Sequence, residues 1–551
     1  MIKFIFTGVI SYLAIRVNGR LKGCLERPFT SSAGALGAGS MSIATLSILV
    51  ALCSLPRAQC EYARLVSADS VVEGDFGRAL ALDGAWMAVG QERADHSAPL
   101  LGAVYVYERL GSNWFFRQKL VAPGTNVCAF GTSVALEGEV LVVGSGSGCW
   151  SDEAWVFERS GGVWSLAATL SSPNPSELDF GRAIAVGGGI VAVGDPGRQE
   201  VYLFENAISG WQQASMIQAP ATGNVSFGAT LAFAGGSLAV GDWQFAAPHP
   251  GSGAVHIFEE VAGDWSELQL LQDAAPEAVD YFGWALRADG DLLAAISNRP
   301  LQAVTIFERA AGVWTESAVV TASSPPPLYG LSGPEALAVD GDTVLLGETY
   351  FDGFRGRVRI LRDTGSGWGD VGSLQPMDLG LQDHTGSATA LDGDHVVVAA
   401  LGFDEALDDV GSVTGHTISG ALCYTLEGYP KTLSTSTGAT ATLLLDAPGH
   451  GDAFFGMAGT LSGTSPGLPL GAFQVPLNPD AYFQLSLRAP SSIFHNMVGV
   501  LDFQGRATAR IDMPAGVALS FVGLRLHHAY LVVSGTGVVH VSNSWPHRLV
   551  F

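Results

Sequence analysis

The phrase "FGRALALDG", beginning at Phe76, returns as "FGTSVALEG" at Phe130, "FGRAIAVGG" at Phe180, "FGATLAFAG" at Phe227 and "FGWALRADG" at Phe282. Two worn copies follow, "GPEALAVDG" from Gly333 and "TGSATALDG" from Thr385. Successive starts lie 54, 50, 47, 55, 51 and 52 residues apart. A unit of this size cannot bury its own apolar faces, and stacking it on neighbours can. A period near fifty with strand patterning throughout predicts one four-stranded blade per copy. The chain is therefore expected to be all-β, a seven-bladed β-propeller.

Each copy holds the same four pieces. The alternating phrase is a strand with one side chain in two on each sheet face. A two-residue turn follows, often Asp-Gly as at Asp83-Gly84 and Asp289-Gly290, where positive φ is needed. The return strand ends in Val-Gly, as in "WMAVG", "VLVVG" and "IVAVG". After a loop of variable length comes a third strand such as "GAVYVYER" or "EAWVFERS", then a short turn and an outer strand that opens on Trp114, Trp164, Trp211, Trp265, Trp314 or Trp368. One large ring per blade at a fixed position reads as packing between blades rather than as a sugar platform.

The phrase, the Val-Gly ending and the "GAVYVYE" strand together resemble FG-GAP repeats, the blades of integrin-α-type propellers and of many bacterial exported proteins, over roughly residues 62–428. The family pattern carries an Asp-rich calcium loop between the first two strands. This chain has only "LDGA", "LEGE", "ADGD", "VDGD" or "LDGD" there, and two turn residues cannot supply six or more oxygens. No metal site and no cofactor are expected, and the acids read as turn chemistry.

The seventh copy has no Trp and no outer strand after "SGALCYTLEG". Near the other end, "EYARLVSADSVVEGDFG" parallels "FRQKLVAPGTNVCAFG", so the segment after Cys60 is expected to supply the last blade's outer strand and close the ring. With Tyr105 opposite Phe115 in blade 1, the equivalent pair in the closing blade is Cys423 and Cys60. A Cys60–Cys423 disulfide is therefore predicted, leaving Cys128–Cys149 as a second pair inside blade 2.

Residues 1–60 read as a leader, with an apolar run from Ile43 to Leu55 and a signal-type cut after Ala58; the segment ahead of Met41 reads equally as a misplaced start. The run is too short to span a bilayer, so the mature chain is expected to be secreted or on the cell surface, with no membrane span. A formal net charge of −24 and the absence of any Lys/Arg run exclude nucleic acid as a partner. Residues 61–428 are assigned to the propeller and 429–551 to a small C-terminal β-sandwich with strands such as "YFQLSLRA", "ATARIDMP" and "HHAYLVVSG".

No nucleophile elbow, zinc motif or phosphate loop is present. The 1–2 and 3–4 turns are short and uniform, whereas the 2–3 and 4–1 connections vary, which places all variation on one face. The candidate ligand contacts there are Trp150, Trp243, Phe245, His249, Tyr350, Phe351, Phe354 and Arg355. The leading expectation is a non-catalytic exported module that binds an extracellular protein or glycan, in adhesion or another surface interaction. Two others stand beside it: a glycan hydrolase or lyase with carboxylates at the channel, and a structural envelope component.

Overall fold

Each copy of the phrase builds one antiparallel four-stranded blade. In blade 1 the strands are Phe76–Asp83, Trp86–Gln91, Ala103–Leu110 and Asn113–Val121, hydrogen-bonded in chain order. The computed structural model describes residues 60–550 apart from 68–73, 94–101, 111–112, 125–128, 146–152, 174–178, 221–225, 298–301, 323–333, 366, 377–381, 404–410, 419–424, 430–431, 448–449, 451, 463–466, 471–472, 476, 488–491, 503–504, 517–523, 535–536 and 543–544. Residues 1–59 of the leader, together with Cys128, Cys149, Trp150 and Cys423, lie outside the described residues.

Seven such sheets form, and the first strands of successive blades pack side by side until that of blade 7 meets that of blade 1. Blade 7 consists of Thr385–Asp392, His395–Ala400 and Ser412–Thr417, with Cys60–Leu65 as its outer strand. The ring closes on the start of the described chain, as the sequence predicts.

The motif has a packing reason. Phe76, Phe130, Phe180, Phe227 and Phe282 are buried, each against a ring of its own third strand. Phe76 meets Tyr105 at 5.6 Å, Phe130 meets Trp155 at 5.1 Å and Phe180 meets Tyr202 at 5.7 Å. The Val-Gly glycine faces the Phe-Gly glycine of the next blade. A Cβ on Gly90 or Gly144 would stand 2.0 Å from the carbonyl oxygen of Gly131 or Gly181, so only glycine lets adjoining blades come this close.

Farther out, the tryptophans join neighbouring blades. Trp86 and Trp164 stand edge to face at 5.8 Å, with the Arg159 guanidinium 4.7 Å from the Trp86 ring. The Gln118 amide of blade 1 donates to Trp164 O at 2.8 Å and accepts from Trp164 N at 3.0 Å. Gln269 of blade 4 does the same to Trp314.

Three expectations need correction. Tyr105 pairs with Lys119, not Phe115, because the hairpin turns after Leu110 and a bulge follows Val106. The third strand of blade 7 is Ser412–Thr417, and Cys60 faces Thr417 on the ladder. The stretch Thr425–Tyr429 pairs instead with Ala439–Asp446 outside the propeller. The register argument for a Cys60–Cys423 bond therefore does not hold, since it took the wrong third strand.

The third correction concerns "YFQLSLRA", expected as a strand. Ala481–Ser486 is a short helix, because the Asp480 carboxylate accepts from Phe483 N at 2.7 Å as an N-cap. The rest of the tail forms two main sheets. One runs Thr425–Tyr429, Ala439–Asp446, Arg506–Met513 and Phe494–His495, and the other is built around Phe454–Thr460, Arg525–Ser534 and Trp545–Val550. They share a core that includes Leu443, Phe455, Phe494, Ile511 and Tyr530.

Candidate functional site

The variable connections of blades 4 and 6 can be followed closely. Residues 242–254 fold back on the entry to blade 5. Val279 N donates to Pro250 O at 3.0 Å, Tyr281 N to Gly251 O at 2.9 Å and Phe282 N to Ser252 O at 3.2 Å. Trp243 is half-buried and stands edge-on to Tyr281 at 5.3 Å and to Trp284 at 5.0 Å. Phe245 packs on His256 at 5.6 Å, and His249 is exposed in the tip 246–250.

In blade 6, Tyr350 and Phe354 meet at 5.6 Å, and both touch His384 at the entry to blade 7. Phe351 lies under the Arg357 guanidinium at 3.9 Å. Arg355 Nη1 donates to Asp352 Oδ2 at 2.9 Å. The candidate contacts among the described residues thus gather into two groups, each bridging to the next blade. Their rings are partly spent on that bridge, and Phe354, at 39% exposed, is the most open of them.

Buried ions hold these loops from beneath. Glu348 receives Arg357 Nε at 2.7 Å and Arg359 Nη1 at 3.3 Å, while Arg359 Nε reaches Asp370 at 2.9 Å. In blade 4, buried Asp242 accepts from Ser226 Oγ at 2.6 Å, and His256 Nδ1 lies 2.8 Å from Glu267. Such networks fix loop conformation.

Inside the ring, the seven first strands line a cavity of about 270 Å³. At one depth six blades present alanine: Ala81, Ala135, Ala185, Ala232, Ala338 and Ala390. Blade 5 presents Arg287 there. Its Nη2 reaches Glu335 Oε2 of blade 6 at 2.5 Å and its Nη1 donates to Leu286 O at 2.9 Å. Arg182 of blade 3 also lines the cavity, and its residue is exposed.

At the 1–2 turn end stands a ring of acids. Each accepts from a turn glycine of the following blade. Gly138 N donates to Asp83, Gly188 N to Glu137 at 3.2 Å, Gly341 N to Asp289 at 2.8 Å and Gly393 N to Asp340 at 2.6 Å. Gly84 N donates to Asp392, which closes the circle from blade 7 to blade 1. The equivalent residues of blades 3 and 4 are Gly187 and Ala234. Burial, then repulsion from Asp289 and Asp342, holds the Asp340 carboxyl above the usual range despite the Gly393 bond. Burial, then Asp340 and Asp83, does the same for Asp392. These acids are therefore more than local turn chemistry; they tie blade to blade.

Sequence reasoning missed the Arg287–Glu335 pair and the presence of Arg182 in the same cavity lining. Stacking the seven copies does single out Arg287 as one arginine in a column of alanines, but it does not reveal the partner.

Comparison with known proteins gives three findings. The family model described as FG-GAP repeat matches residues 60–107. No curated protein matches. Among solved structures, the Pseudomonas aeruginosa periplasmic gluconolactonase is similar at 17% identity, over 59% of this chain and 97% of that one, with a TM-score of 0.42. The WD40 domain of Toxoplasma gondii coronin is similar at 10% identity, over 66% and 87%, with a TM-score of 0.41. Residues 60–107 are an FG-GAP repeat, and the chain sets that repeat in a seven-bladed β-propeller closed by its own first described strand.

Proposed function

We propose that this protein is an exported, non-catalytic recognition module that binds a protein or glycan partner through the face carrying the 2–3 and 4–1 connections. The carrying observation is the placement of Trp243, Tyr281 and Trp284 as one half-buried aromatic cluster on rigid strand ends, beside the exposed tip 246–250. Aromatic side chains and arginine dominate binding energy at recognition surfaces because they bury much area at low entropy cost. The pair Phe354 and Arg355 offers a second such contact on the same face. A non-catalytic reading is supported by the engagement of the channel acids, Glu335 with Arg287 and the mouth carboxylates with turn amides. The C-terminal sheets serve as spacer or attachment.

The test is a screen of the full chain against arrays of glycans and surface proteins, repeated with two variants. One replaces 246–250 by a Gly-Ser linker, and the other carries Phe354→Ser with Arg355→Glu. Binding that falls about tenfold or more in either variant supports the assignment. Undiminished binding in both places the partner elsewhere.

A further inference from the structure

We propose that the central channel holds a small organic carboxylate on Arg182 and Arg287, admitted from the face that carries the variable loops. The lining supplies the space. Six alanines around one level leave a cavity of about 270 Å³, room for an acid of a few carbon atoms. The cations supply the recognition. Arg287 occupies the one non-alanine position of that level, and a single carboxylate, Glu335, answers it. Arg182 lines the same cavity, with no hydrogen bond or ion pair to its guanidinium among the described residues. Two guanidinium groups and one carboxylate leave one positive charge inside a chain whose formal net charge is −24.

Guanidinium forks suit the two oxygens of a carboxylate, because each presents parallel N–H donors at matching spacing. The two channel ends differ. Asp83, Glu137, Asp289, Asp340 and Asp392 surround the 1–2 turn mouth and repel an anion approaching from that side. Arg182 and Glu335 sit three residues nearer the opposite mouth than the alanine level, at the Arg78 position of their copies, so entry is from there. The channel site uses none of the loop residues assigned above to the macromolecular partner.

The experiment is titration calorimetry and thermal shift on the full-length protein at low ionic strength, using malonate and L-malate, with methylammonium as the cationic control. Both acids are expected to bind at one site per chain and raise the melting temperature, and methylammonium to do neither. Arg182→Ala weakens binding about tenfold or more and leaves the unliganded melting temperature in place. Glu335→Gln strengthens binding severalfold, because it removes the competing carboxylate from Arg287; a purely structural Arg287–Glu335 pair gives no such gain. Asp340→Asn and the 246–250 replacement leave affinity within about twofold. Failure of both acids to bind the wild-type protein overturns the proposal, as does unchanged affinity in Arg182→Ala together with Glu335→Gln.

Discussion

At the scale of single residues, the closing blade contains a group that senses acid. His416 lies in the strand Ser412–Thr417, opposite Glu61, with Thr414 Oγ1 2.8 Å from its Nε2. Burial, reinforced by the Arg64 guanidinium, pushes its imidazole down from 6.5 to about 3. Below pH 6.5 the unfolded chain takes up a proton that the folded chain refuses, so this contribution to stability is lost as pH falls from 6.5 toward 3. Thermal denaturation across that range is expected to show His416→Gln less stable than wild type near neutrality, by about 1–2 kcal/mol. The gap should narrow or reverse toward about pH 4. Asp340 has the opposite sign. Its carboxyl is raised in the folded state, so its ionised form opposes folding above that value and the penalty fades as pH drops through it. Asp340→Asn keeps an acceptor for Gly393 N and removes the repulsion, so its melting temperature should exceed wild type at neutral pH and match it in acid.

At the scale of elements, blades are joined by a few repeated devices rather than by one continuous core. Gln118 holds both backbone groups of Trp164 across the first junction, and Gln269 holds those of Trp314 across the fourth. Gln118→Ala leaves a part-buried amide and carbonyl without this partner and is expected to cost about 1–3 kcal/mol, read by chemical denaturation. Gln118→Glu should recover the bond from Trp164 N and not the one to Trp164 O, and fall between. What the sequence made legible here follows from physics that repeats. A Phe that must plug a blade and a Gly that must admit its neighbour leave the same two letters in five copies, and worn versions in the other two. Features that occur once leave no such trace. The helix Ala481–Ser486 hides in an alternating run because its cap, Asp480, also binds Thr460, Leu461 and Ser462 from a distant strand. The closing strand is hard to recognise from sequence because "SVTGHT" lacks the aromatic residues of the third strands in blades 1 to 5. Of the candidate site, the loop face was legible from length variation alone. The channel pair was not, because Arg287 and Glu335 come from different copies and meet only once the ring is formed.

At the scale of the molecule, the strand Cys60–Leu65 is what makes the seventh blade four-stranded. Removing residues 58–66 exposes the edge of Ser412–Thr417 and should lower the melting temperature by several degrees. A synthetic peptide of the deleted sequence should restore it in a concentration-dependent way. A variant whose melting temperature is unchanged by the deletion would show the ring to be held elsewhere. The same arrangement sets a timetable for biosynthesis. The tongue of this latch leaves the ribosome first, and its catch follows about 350 residues later. Until then six blades can stack while the arc stays open, and the last edge to emerge must find a partner made long before it. A second nascent chain offers an identical tongue, so crowded synthesis favours exchange between copies, and slow, dilute production favours the single closed wheel.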